Sequence, residues 1–313
     1  MVLYATLIVA LSFAQDDDKS YIPFDLRTMR PVLEVMINGE GPYKFLLDTG
    51  ASQSMISFDL AKKLKLPENG TSAVSAPNSG IIIQSPRFMI RELKVGDVKF
   101  FRLNAVSIMD TDWLKTISAD GILSAQDFTG FLVTLDYRQS RLVLEPGRLP
   151  EADKLTVFDY LRRDLIPGLM LDVAGKETFF HLDSGSPFYI ALPSSMLESA
   201  DYLQQPRMIG QAGTVTGTFL IYWGQLAGDI KFGKYTIEKP RVQIMGQMPY
   251  GNLGYRFFRD YLVTFDYTGH RVRLKHWKEV LEESDGTGGG VQPTAHAGSL
   301  KDSHRDRRAS RIW

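Results

Sequence analysis

The chain has 313 residues, of which 44% are hydrophobic and 23% are charged, as is typical of a globular protein with a sizeable core. At roughly 150 residues per domain, this length predicts about two domains. Lys plus Arg and Asp plus Glu both number 36, and the zero net charge argues against nucleic-acid binding as a main task. Cysteine is absent, which excludes disulfides, thiolate metal sites and cysteine nucleophiles.

The first element along the chain is an uncharged apolar run, VLYATLIVALSFA, at residues 2–14. The run is too short for a bilayer, which needs about 20 residues, so we expect no stable membrane span. Ser12 and Ala14 have the small-residue spacing of a cleavage site. Residues 1–14 are therefore predicted to be a signal peptide, and the protein to be exported, periplasmic or secreted. The run lacks a preceding Lys or Arg, so a buried strand or an uncleaved anchor is the alternative.

The two halves of the chain repeat one another. Residues 121–144 and 251–274 align without a gap and share ten identical residues. Upstream, KFLLDTGASQSMI (44–56) matches FFHLDSGSPFYIA (179–191) in the same order. Matching blocks in the same order indicate a tandem duplication.

We assign an N-terminal lobe to residues 22–148 and a C-terminal lobe to 153–278, joined by a linker rich in Pro and charge. LVTLDY with RLVLE, and LVTFDY with RVRLK, predict equivalent β-hairpins in the two lobes. Helical periodicity is limited to short candidates at 57–64, 193–203 and 276–283. The predicted fold class is all-β with two similar lobes. Residues 284–313, rich in Gly, Ser and charge, are predicted to form a flexible tail.

Each lobe contains one acidic tetrapeptide after a short apolar run: DTGA at 48–51 and DSGS at 183–186. Symmetry between the lobes would place Asp48 and Asp183 at the same point. Two carboxyl groups about 3 Å apart cannot both ionise, so they share one proton. Such a pair supplies both the base that activates water and the acid that protonates a peptide carbonyl or leaving nitrogen. We therefore predict Asp48 and Asp183 as catalytic residues.

These residues resemble the retropepsin-like aspartic proteases and, more distantly, the pepsins. The resemblance rests on LLDTGAS, HLDSGSP and the segments GILSAQDF (121–128) and GNLGYRFF (251–258). It implies two retropepsin-like β-barrel lobes, the acid-protease fold, with the active site between them. Retropepsins usually act as dimers, whereas this chain resembles a fused pair, so a monomer is sufficient for catalysis. No metal or cofactor is implied, and the expected partner is a peptide or protein substrate.

The residues that follow the two aspartates have expected supporting roles. Gly50 and Gly185 lack a Cβ atom, which allows a tight turn and lets the backbone N–H approach the carboxylates. By resemblance, the hydroxyl groups of Thr49 and Ser184 reach across the interface between the lobes. They would thereby join the two active-site loops.

The fourth residue of the motif differs between the lobes. Ser186 can donate a hydrogen bond to Asp183, whereas Ala51 has no donor for Asp48. Because a hydrogen bond to the charged form of a carboxyl group favours that form, we expect Asp183 to ionise first and Asp48 to hold the shared proton. The mixture of a retroviral-type Ala and a pepsin-type Ser predicts a mildly acidic optimum.

The sequence departs from the family pattern in the segments GILS and GNLG. Ser124 stands where a glycine is usual, and Asn252 is polar in a pair that is usually apolar. These differences concern the packing behind each aspartate.

Two turn-rich segments flanked by β-forming residues, 75–83 and 210–219, are predicted to be hairpin flaps over the cleft. Gly80 and Gly213 would lie near their tips and contact substrate. Two ordinary surface hairpins are the alternative interpretation.

The resulting prediction is an aspartic endopeptidase that hydrolyses peptide bonds with an Asp48/Asp183 dyad. The alternative is a catalytically inactive two-lobed protein that binds peptides or acts as a scaffold. The presence of both aspartates favours the protease. A serine hydrolase is disfavoured because the sequence has no GxSxG motif.

Overall fold

The structure is a computed structural model, which describes residues 19–74, 82–109, 111–214 and 217–286. The predicted signal peptide (1–14), the flap residue Gly80 and residues 287–313 of the predicted tail lie outside the described residues. The signal peptide and the export that it implies stay predictions.

The N-terminal lobe is built from strands β1 (Ser20–Asp25), β2 (Val32–Ile37), β3 (Glu40–Asp48), β4 (Met55–Ser57), β5 (Glu68–Val74), β6 (Ile83–Val95), β7 (Val98–Ile108), β8 (Gly121–Ser124), β9 (Phe131–Asp136) and β10 (Arg141–Pro146). It also contains helices α1 (Phe58–Lys63) and α2 (Asp112–Thr116) and a 3₁₀ turn at Ala125–Asp127.

The C-terminal lobe is built from strands β11 (Val157–Asp159), β12 (Leu161–Arg163), β13 (Ile166–Val173), β14 (Lys176–Leu182), β15 (Ile190–Leu192), β16 (Tyr202–Thr214), β17 (Gly217–Leu226), β18 (Ile230–Phe232), β19 (Tyr235–Ile237), β20 (Arg241–Met245), β21 (Gly251–Leu253), β22 (Tyr261–Asp266) and β23 (Arg271–His276). Its helices are α3 (Met196–Ser199), α4 (Tyr255–Asp260) and α5 (Trp277–Gly286).

The predicted all-β, two-lobed acid-protease fold is confirmed. In the described residues of the N-terminal lobe, the strand order β2-β3-β8-β4-β7-β6 closes on itself because β6 also pairs with β2. Apolar side chains fill this ring, including Leu33, Phe45, Leu47, Ile56 and Phe88, all fully buried. A closed ring leaves no free strand edge, which stabilises a small β lobe.

The C-terminal lobe repeats this arrangement with one interruption. Strands β13, β14, β21, β15, β20 and β17 follow one another in the sheet, and β18 pairs with β13 as β6 pairs with β2. The single strand β6 of the first lobe corresponds here to the separate strands β17 and β18. Buried side chains of both lobes belong to one continuous hydrophobic cluster, so the lobes share a core.

Both lobes contribute strands to one shared sheet, in the order β11-β23-β22-β9-β10-β1. At its centre β9 and β22 pair antiparallel, and Thr134 stands opposite Thr264, its repeat equivalent. Their hydroxyl oxygens are 2.8 Å apart. Because a residue pairs with its own repeat equivalent, a local two-fold axis passes through this point.

The structure corrects three sequence expectations about elements. The sequence predicts no element in the stretch 156–167, which contains the equivalent of β1: Tyr160 N donates to His270 O (3.0 Å) as Phe24 N donates to Ser140 O (2.9 Å). The helix expected over 193–203 is only Met196–Ser199, because the chain from Tyr202 onward pairs with β17. Helix α5 continues to Gly286, beyond the predicted start of the tail at 284.

Across the described ranges, no helix combines the length and the apolar character needed to cross a membrane.

Candidate active site

The two predicted catalytic aspartates lie at equivalent strand ends. Asp48 is the last residue of β3, and Asp183 follows directly after β14. Each strand pairs in parallel with a short buried strand, β8 in one lobe and β21 in the other. The duplicated sequence therefore ends both strands at the same depth in the interface between the lobes.

Gly50 and Gly185 each face the aspartate of the opposite lobe. A Cβ atom on Gly50 would lie 2.6 Å from Cγ of Asp183, and one on Gly185 would lie 2.6 Å from Oδ2 of Asp48. The structure thus brings the predicted pair together, and only glycine fits at positions 50 and 185 without displacing a carboxyl group.

Thr49 and Ser184 join the two loops through four reciprocal hydrogen bonds. Thr49 N donates to Ser184 Oγ, and Ser184 N donates to Thr49 Oγ1, both at 2.9 Å. Thr49 Oγ1 then donates to Leu182 O (2.7 Å), and Ser184 Oγ donates to Leu47 O (2.8 Å). Both side chains are fully buried. This network holds the backbone beside each aspartate in a fixed position relative to the other lobe.

Burial raises the pKa of Asp48 well above its usual range, and the negative charge of Asp183 raises it further. Gly50 N donates to Asp48 Oδ1 (2.7 Å) and, with the nearby charge of Arg30, opposes the shift without cancelling it. Asp48 therefore keeps a proton at pH values where an ordinary aspartate is ionised. This direction agrees with the expectation that Asp48 holds the shared proton.

The hydrogen-bond donor to Asp183 differs from the one expected. Asn252 Nδ2 donates to Asp183 Oδ2 at 2.6 Å. The hydroxyl of Ser186 instead accepts from Phe188 N (3.4 Å), and in the described residues it has no hydrogen bond to the Asp183 carboxylate. The expectation for Ser186 was therefore wrong, because the side chain turns toward its own loop. Asn252 had been noted only as a departure from an apolar pattern.

The departure at Ser124 is explained by an exchange between the lobes. Ser124 Oγ donates to Ala51 O (2.7 Å) in the N-terminal lobe. In the C-terminal lobe the equivalent of Ser124 is Gly254, and the equivalent of Ala51 is Ser186. A Cβ atom on Gly254 would lie 2.8 Å from Ser186 Oγ. Each lobe therefore has one hydroxyl group between its acidic motif and the segment GILS or GNLG. Ser124 supplies it in the N-terminal lobe and Ser186 in the C-terminal lobe.

Arg30 is a further residue near the dyad that the sequence interpretation missed. Its Nε donates to Gly185 O at 2.7 Å, and its guanidinium lies 6.0 Å from the ring centre of Trp113. Burial lowers the pKa of Arg30, while the charges of Asp183 and Asp48 oppose that shift. No local motif marks this arginine, because the contact that places it crosses between the lobes.

The described strands at both predicted flaps pair antiparallel. Strands β16 and β17 pair up to Thr214 opposite Gly217, which places Gly213 one residue before the last pair. Strands β5 and β6 pair up to Val74 opposite Ile83, and Gly80 falls in the undescribed residues between them. The hairpin architecture agrees with flaps, and the contact of Gly80 and Gly213 with substrate stays a prediction.

A cavity of about 710 Å³ lies elsewhere, against β1, β2 and β3 of the N-terminal lobe. Its lining includes Ile22, Phe24, Val35 and Lys44 and neither aspartate of the dyad. It is therefore separate from the candidate active site.

Comparison with known families gives one match: a family model for aspartyl proteases fits residues 33–126. The matched segment contains the first acidic motif and strand β8. The match confirms the resemblance that the motifs indicated, and the chain carries a retropepsin-like aspartyl protease domain. The match to an aspartyl protease model implies a peptide substrate. A search of curated proteins found none that matches the chain.

Proposed function

We propose that the protein is an aspartic endopeptidase in which one aspartate from each lobe activates a water molecule. The observation that carries the proposal is the close approach of the two motifs. A Cβ atom added to Gly50 or to Gly185 would lie 2.6 Å from the carboxyl group of the aspartate in the opposite lobe. Two acidic motifs at such a distance form a shared-proton pair of the kind that general acid–base hydrolysis requires.

In the proposed reaction, ionised Asp183 removes a proton from the water molecule while the water oxygen attacks the scissile carbonyl carbon. Protonated Asp48 donates its proton to the carbonyl oxygen, which gives a tetrahedral intermediate with two hydroxyl groups. Asp183 then transfers its proton to the leaving nitrogen while Asp48 regains one from a hydroxyl group, and the C–N bond breaks. The pair returns to its starting protonation state, so no other proton carrier is required.

The supporting residues account for the geometry that this reaction needs. The Thr49–Ser184 network fixes the relative position of the two loops, which general acid–base catalysis requires to within a fraction of an ångström. The predicted flaps at Gly80 and Gly213 would close over a bound peptide and exclude bulk water. One chain supplies both aspartates, so a monomer suffices.

The test uses the chain without residues 1–14 on a mixed peptide library between pH 3 and 8. Asp48→Asn and Asp183→Asn are expected to lose all cleavage, because each removes one member of the proton-sharing pair. Asp172→Asn removes a carboxylate near the end of β13, where it accepts a hydrogen bond from Gly175 N, and is the matched control, expected to cleave normally. Wild-type protein that binds library peptides without cutting any of them at any pH would instead support the inactive binding protein.

A further inference from the structure

Asn252 occupies a chemically asymmetric position in the duplicated fold. It lies on β21, where it pairs with His181 of β14, and it is 6% exposed. The repeat equivalent in the N-terminal lobe is Ile122 on β8, which pairs with Leu46. The side of the dyad next to Asp48 is therefore aliphatic, while the side next to Asp183 carries a buried primary amide.

Packing alone does not explain an amide at this position. Asn252 Oδ1 is buried without a hydrogen-bond partner among the described residues. An unpaired buried acceptor destabilises a fold, and an aliphatic side chain such as Ile122 avoids that cost. The other end of the same amide makes the 2.6 Å bond from Nδ2 to Asp183 Oδ2. The contact that favours asparagine here is therefore the one with the carboxylate.

We propose that Asn252 is a positioning residue that fixes the negative charge of the pair on Asp183, so that Asp183 is the base and Asp48 the acid. This inference rests on the proposed function. Gly50 N occupies Asp48 Oδ1 and Asn252 Nδ2 occupies Asp183 Oδ2. Asp48 Oδ2 and Asp183 Oδ1 accept no hydrogen bond from another residue among the described residues.

Four other charged or titratable groups lie near the pair. They are Arg30, His181, Tyr137 and Tyr267. Arg30 interacts with both aspartates. Burial lowers the pKa of His181, while it raises the pKa of both tyrosines well above the ordinary value, so the tyrosines are neutral across the pH range of the experiment. The Gly50 N–H favours charge on Asp48, but burial of that carboxyl group outweighs it.

The experiment replaces Asn252 by Leu, which has the same branching without a donor, and compares it with Ile122→Val at the equivalent position. One readout is the pH profile of kcat/KM for peptide cleavage. The second is an NMR titration of ¹³Cγ-labelled aspartate in the same proteins, assigned with Asp48→Asn and Asp183→Asn. The titration needs no turnover, so it decides the inference even when wild-type protein cleaves nothing and the proposed function fails.

Removing the donor destabilises the ionised form of the pair. We expect the acidic limb and the first carboxyl transition to move up by about one to two pH units in Asn252→Leu, the effect of one hydrogen bond to a charged group. Ile122→Val should leave both in place. Asn252→Ser, too short to reach Asp183, provides a second variant should Leu prevent folding, and the same shift is expected. A folded variant whose titration and acidic limb match those of wild type overturns the proposal.

Discussion

At the scale of single residues, the pairing of Thr49 with Ser184 dominates the interface between the active-site loops. Thr49→Val keeps the shape of the side chain but leaves Ser184 N without its acceptor and Leu182 O without its donor, both buried. We expect a loss of about 2–4 kcal/mol in the free energy of unfolding and a large loss of any cleavage. Urea unfolding measures the first effect.

Thr236→Val is the control for that substitution. Thr236 lies exposed on β19, and the change should alter stability by about 0.5 kcal/mol or less. Equal stability of the Thr49 and Thr236 variants would show that the reciprocal hydrogen bonds contribute little.

Asp127 predicts a pH dependence of stability that is separate from the dyad. Burial raises its pKa from 3.8 to about 6, although a hydrogen bond from Ser54 Oγ opposes the shift. The folded chain then binds this proton more tightly than the unfolded chain, so the stabilisation is present below pH 4 and is lost as pH rises through 6. Asp127→Asn should remove that loss, worth about 1.5–3 kcal/mol at pH 8. Thermal unfolding between pH 4 and 8 compares the two proteins, and parallel curves would contradict the assignment.

The sequence was sufficient to predict which residues come together where a repeated motif marks them. It was not sufficient where a side-chain rotamer determines the hydrogen-bond partner. The duplicated tetrapeptides were sufficient to predict that Asp48 and Asp183 lie together, because the repeat itself implies a shared location. The sequence could not show that Ser186 Oγ accepts from Phe188 N instead of donating to Asp183, because both residues lie within three positions of it in the chain. The bond from Asn252 crosses between two strands 69 positions apart, and no local pattern encodes it.

At the scale of elements, the paired hairpins were predictable because they combine alternating apolar residues with turn residues. The helix expected over 193–203 was overestimated, since tertiary pairing of β16 with β17 outweighs weak helical periodicity. Strands β11 and β12 were missed because only three residues of each pair with a neighbour. Such short strands have too few residues for a period of two to be recognised.

At the scale of the whole molecule, the local two-fold axis makes the edge of β9 complementary to itself. In the full chain Thr134 pairs with Thr264 across this axis. An isolated N-terminal lobe, residues 19–148, exposes that edge and is expected to form a symmetric dimer with Thr134 opposite its own copy. Sedimentation equilibrium measures the association. Thr134→Lys would place two like charges at the axis and should give a monomer.

Failure of the wild-type lobe to associate while it retains its β-sheet circular dichroism would argue that the C-terminal lobe supplies contacts that a second copy cannot. The packing of Tyr137 against Tyr255, whose repeat equivalent is Ala125, is the first such contact to examine.

The difference between Asn252 and Ile122 has a consequence for the orientation of a substrate. In a dimer of identical chains, the two ways of placing one proton on two aspartates are degenerate, and a peptide can enter in either direction with the same energy. Fusion of two unlike halves removes that degeneracy. A peptide chain has an amino and a carboxyl direction, so a fixed acid on one side and a fixed base on the other favour a single polarity of binding.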